Sequence, residues 1–163
     1  MTDAAPAIFV ALESSGIGAA IRQSSWAYMT ANVGHIVSLL VFFSAVAIMD
    51  LRMAGFFAAT APGAILRGAR TVAIAGFVGL LLTGAVLFTA EASHVILNKV
   101  FLIKLALIAF GLGNIAIFEY LTAPQLKGLP PHAVLPSAAR TAGIVSLVTW
   151  VAVAICGRSI AYF

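Results

Sequence analysis

The chain has 163 residues, of which 63% are hydrophobic and 9% charged, with a net charge of +4. Soluble domains run at roughly 45–50% apolar and about 25% charged, so an ordinary soluble domain is excluded. The basic residues form neither a run nor a helix face, which argues against a nucleic-acid partner and for membrane topology and lipid headgroups. There is no phosphate loop, dinucleotide motif or nucleophile–base pair, which speaks against the common enzymes of soluble substrates.

In chain order, residues 1–25 begin acidic and lack a basic segment leading into an apolar core, so a cleaved signal peptide is not expected. Ile8, Phe9, Leu12, Ile17 and Ile21 recur at loosely helical spacing, which predicts an amphipathic segment on the membrane surface. Four apolar stretches follow, at 26–49, 71–90, 100–118 and 141–157, each near the roughly 20 residues needed to cross a bilayer. The expectation is an all-α integral membrane protein in which 26–163 form one four-helix bundle.

The connection between the first two spans mixes Phe56, Phe57, Ile65 and Leu66 with arginines and is expected to skim the interface, turning at Pro62-Gly63. That between the last two holds Pro124, Pro130, Pro131 and Pro136 and cannot form one continuous helix. The short connection between the second and third spans predicts that they are antiparallel neighbours. Arg52, Arg67, Arg70, Lys127 and Arg140 fall on one side, against Arg22, Lys99 and Arg158 on the other. The positive-inside tendency then places the long connections in the cytoplasm of a bacterial inner membrane and both termini in the periplasm. Trp26, Tyr28 and Tyr162 fit an outer aromatic belt.

Polar residues inside the spans mark candidate sites. Lys104 interrupts the third span, where a charge costs roughly 2.5–3.5 kcal/mol on insertion scales and so faces a partner, a cofactor or water. His35 lies roughly 10 Å inside the first span. Its imidazole suits an interhelical hydrogen bond, haem iron or copper. Glu91, His94 and Arg158 fall in the same half of the membrane; Lys104 and Arg158 also have the plainer option of snorkelling, and Lys104 that of pairing with Glu91. A copper ion would draw on Met29, His35, Glu91 and His94. At the opposite edge Asp50, Arg52, Arg70, Glu119 and Arg140 read as structural ion pairs fixing helix ends. His132 belongs to that opposite edge, and the single Cys156 reads as packing. Gly76, Gly79 and Thr83, and likewise Gly143, Ser146, Ala154 and Gly157, form small-residue faces suited to close helix packing and self-association.

The runs GHIVSLLVFFSAVAIMDLRMAGF, TGAVLF, NKVFLIKLALIAFGLGN and WVAVAICGRSIAYF resemble a family of small uncharacterised bacterial four-helix membrane proteins. That family is distantly similar to copper-resistance D proteins and to b-type cytochrome membrane subunits. The resemblance covers roughly residues 26–163 and implies a membrane redox or cofactor-binding protein. Dihaem cytochromes of this build place paired histidines at both faces, and here only His35 lies within a span, so it implies at most one b-type haem. His35 and His94 would be its ligands, with Lys104 and Arg158 offsetting propionate charge. The alternatives are copper handling, or an accessory subunit of a larger membrane complex that binds no cofactor.

Overall fold

A computed structural model describes residues 4–162, and all their regular structure is helical. Two short helices, α1 (Ala7–Ser14) and α2 (Gly16–Gln23), precede the long α3 (Ser25–Ala54) and α4 (Pro62–Ala90). A single turn, α5 (Ala92–Val95), leads into α6 (Lys99–Ile117), and α7 (Ser137–Ser159) completes the set. Four of these helices are long and apolar enough to cross a membrane. Their outer faces agree: Leu40, Leu82, Phe110 and Ile155 are all more than half exposed, a surface suited to lipid and costly in water.

The helices start and stop for local reasons. α3 ends at Gly55, whose φ of 112° lets the Phe56 amide reach the Leu51 carbonyl at 2.9 Å and the Gly55 amide reach that of Arg52. Pro62 does not make the expected turn. It opens α4 at its first position, where a missing amide costs nothing. The first connection therefore shrinks to 55–61, and Arg67 and Arg70 ride on the opening turns of α4 instead of an interfacial loop. α7 likewise begins before Arg140. Past α6 the chain continues as a π-helical turn (Phe118–Thr122) and a 3-10 turn (Ala123–Leu126), since Pro124 has no amide to extend the α ladder. The amphipathic segment breaks at Ser15, whose hydroxyl caps α2 by accepting from the Gly18 amide.

Glycines set the packing. A Cβ on Gly76 would stand 2.6 Å from the Phe42 amide nitrogen, so α3 and α4 meet at backbone distance there. Gly143 plays the same part between α7 and α3, with a Cβ 2.9 Å from the Asp50 carbonyl. Phe42, Ala45, Val46, Ala73, Trp150 and Val153 form the central core, the Trp150 ring seated over Gly111. A second cluster of Met53, Leu66, Leu126, Leu135 and Ala139 closes the loop end.

The order of contacts corrects one expectation. α3 packs on α4 and α7, and α7 packs on α6, but α4 and α6 scarcely approach each other despite their short connection. α5 and its flanking turns give the chain room to swing α6 across to α7. The α4–α6 gap is bridged at its ends. Phe88 and Phe101 stack at 5.6 Å near the chain termini, and Arg70 pairs with Glu119 at the loop end.

Candidate functional site

At the terminal end, His35 is half-buried on α3. Its Nδ1 lies 2.9 Å from Thr83 Oγ1, and that hydroxyl donates to the Gly79 carbonyl at 2.6 Å. Thr83 has one proton, already given to Gly79, so it accepts from His35 and fixes the proton on Nδ1. Nε2 keeps the free lone pair. Gly84 sits against the ring, where a Cβ would lie 3.3 Å from Cε1. Lys104 projects from α6 toward α7, and its Nζ lies 3.4 Å from where a Gly157 Cβ would stand. Among the described residues no carboxylate lies within salt-bridge distance of Lys104, so the pairing with Glu91 is not formed.

The remaining residues expected at this end do not join them. Glu91 is exposed and accepts a hydrogen bond from the Tyr28 hydroxyl at 3.3 Å. His94 is exposed on α5, Met29 is 48% exposed, and Arg158 folds onto Tyr162 of its own helix end, 4.8 Å from the ring centroid. Among the described residues no three His, Cys, Asp or Glu side chains gather closely enough to hold a metal ion. The set Met29, His35, Glu91 and His94 is thus spread over the surface and the core. His35 fits as a single imidazole donor.

What covers this end is the N-terminal segment, docked more firmly than a surface helix. Glu13 Oε2 accepts from the amide of Ser93 at 2.8 Å and from its hydroxyl, and these bonds hold its carboxyl below the ordinary value. Arg22 donates to the carbonyls of Glu13 at 2.8 Å and Ala90 at 2.9 Å, and Phe9 meets Phe88 edge-on.

The loop end holds a feature that no motif in the sequence announces. A cavity of about 220 Å³ lies where α4 and α6 part. Phe42, Phe77, Ile115 and Phe118 line its apolar body, and Asp50, Arg70, Asn114, Glu119 and Ser146 line its polar margin. Ile74, Val78 and Leu112 belong both to the lining and to the exposed outer surface, so the mouth faces sideways, where the lipid would be. The π turn sets Glu119 on the rim, and Arg70 Nη2 donates to both its oxygens, at 2.6 and 2.8 Å. Asn114 is tied to α7 through the Ala142 carbonyl at 3.0 Å.

Of the five residues expected to form ion pairs, only Arg70 and Glu119 do so among the described residues. Asp50 is 8% exposed, and its Oδ2 meets no donor among the described residues. Arg52 is 1% exposed, gives Nε to the Thr60 carbonyl at 3.0 Å and leaves Nη2 unpartnered, while Arg140 is exposed beside Gly55. Asp50 and Arg52 stand two apart on one helix, and such side chains diverge. That spacing is the signal in the sequence that Asp50 has no partner there. No protein-family model, curated protein or solved structure matches this chain.

Proposed function

We propose that this is a membrane protein that binds one small molecule with an apolar body, taken sideways from the bilayer into the cleft between α4 and α6. The observation that carries this reading is the cavity of about 220 Å³, apolar in its body and open where lipid-facing residues form its rim. Dry apolar cavities of roughly 150 Å³ accept benzene, so this one suits a ring with a short substituent. In this reading the protein lies in a bacterial inner membrane with both termini periplasmic, which the arginines at the loop end support. The test is thermal unfolding of detergent-purified protein with neopentylbenzene, an uncharged ring of suitable size. The unfolding temperature rises with the wild type and not with Leu112→Trp, which fills the mouth from an exposed position. Equal response of the two proteins would sink the proposal.

A second reading keeps the terminal end as a redox or cofactor site, with His35 Nε2 as donor to the iron of one b-type haem. The fixed Nδ1 proton supports it, since anchoring one ring nitrogen orients the other. A reducible Soret band lost in His35→Ala supports this reading, and purified protein without haem absorbance removes it.

A further inference from the structure

The cavity contains a chemical demand that its apolar body does not explain. Asp50 lines its wall, more than nine-tenths buried, with Oδ2 enclosed and unpartnered. Among the described residues no cation of the chain lies within salt-bridge distance of it. Arg70, the cation of the lining, is taken by both oxygens of Glu119. The lining therefore holds two carboxyl groups, Asp50 and Glu119, against one guanidinium, and with Asp50 ionised it carries an excess of one negative charge. A carboxyl in such surroundings either takes up a proton or, to stay ionised, needs a counter-ion, and a bound cation favours the second state. The remaining walls favour the same partner: Phe42, Phe77 and Phe118 line the cavity, and aromatic faces attract cations.

We propose that the molecule taken into the α4–α6 cleft is a hydrophobic monocation, its apolar body against Phe42, Phe77 and Ile115 and its charge countered by Asp50. This deepens the function proposed above and rests on it. Ser146, beside Asp50 on the wall, is the neutral polar group at the charged end. The Arg70–Glu119 pair spans the loop end of the gap as a clasp between α4 and the end of α6, so the ligand enters between this clasp and the Phe88–Phe101 stack.

The test uses two probes that differ in charge alone: benzyltrimethylammonium, and neopentylbenzene, in which carbon replaces the nitrogen. Equilibrium dialysis of the labelled cation against the purified full chain is expected to give one site per chain. Binding weakens about tenfold or more in Asp50→Asn, the scale of a lost buried charge pair, and persists in Asp50→Glu. Neopentylbenzene raises the unfolding temperature of wild type and Asp50→Asn alike. If the neutral probe acts through the cavity while the cation binds no better than its isostere, or binds Asp50→Asn equally, the monocation assignment is overturned and the cavity reading stands. If neither probe acts, both are overturned. Should Asp50→Asn fail to fold, the wild type alone decides: a preference for cation over isostere supports the assignment, and equal binding of the two overturns it.

Discussion

The two ends of the bundle handle buried polarity in opposite ways. At the terminal end Glu13, Arg22, Tyr28 and Asn98 all find partners, several far along the chain, and Asn98 both caps α6 and donates to the Ile160 carbonyl at 3.3 Å. At the loop end Asp50 and Arg52 are more deeply buried, yet each leaves an atom without a partner. Satisfied polar groups hold a structure together, and orphaned ones cost free energy that something else must offset. The terminal end is thus largely satisfied, with the half-buried Lys104 as its exception, whereas among the described residues the loop end keeps two orphaned atoms.

The largest effect is expected in the core that joins the two ends. Gly76→Val drives a branched side chain into the α3 backbone and is expected to cost about 3 kcal/mol in reversible unfolding. Gly113→Ala, on a helix face with nothing within 4 Å, is expected to change stability by less than about 1 kcal/mol, with the sign of a gain. Similar losses at the two glycines would refute the close α3–α4 approach.

A smaller effect has the more telling sign. Asp50→Asn replaces a buried carboxyl whose Oδ2 has no partner among the described residues by a neutral amide and is expected to stabilise the ligand-free protein by about 1 kcal/mol. A loss of that size would mean that Asp50 is satisfied after all, and the contrast between the ends would dissolve. Arg70→Gln removes a pair whose side chains are each 40% exposed, so its cost is limited to about 0.5 kcal/mol. Its visible consequence is geometric: spin labels on the loop-end turns of α4 and α6 move apart, and an unchanged distance distribution would deny the clasp.

The smallest effect is local and depends on pH. The Glu13 carboxyl is held below its ordinary value by Ser93, so docking of the N-terminal segment is fully stabilised above the unfolded pKa. The contribution is lost as pH falls through the folded pKa, on the acid side of the ordinary glutamate range. Protection against hydrogen exchange at α1 and at the Ser93 amide, taken relative to the intrinsic rate at each pH, should fall over that acid range and not in Glu13→Gln, where protection is low throughout. Acid-independent protection in the wild type would show that Glu13 does not hold the segment.

Much of the architecture was legible from the residues, because bilayer thickness imposes a length and an apolar composition that four stretches meet. The face of Gly76, Gly79 and Thr83 was legible too, since residues three or four apart share a side, and that side packs on α3. The loop end was less so, for a definable reason. A carboxylate and arginines adjacent in sequence suggest pairs, whereas helix geometry turns Asp50 and Arg52 apart and pairs Arg70 with Glu119 from another helix. The cavity was illegible because it depends on α4 and α6 not packing. A short connection states how far two helix ends can separate; it does not state which side of α7 receives the second helix.

The attachment of the N-terminal segment has a consequence for the order of assembly. Glu13 finds its hydrogen-bond partner 80 residues further along the chain, and Arg22 finds the Ala90 carbonyl 68 residues on. While the chain emerges, α1 and α2 precede every element they dock on except each other. They must wait at the membrane surface, with Glu13 and Arg22 lacking these partners, until the hairpin of α3 and α4 has inserted and α5 has turned. Their docking is thus a late event that reports on completed insertion of the first half of the bundle.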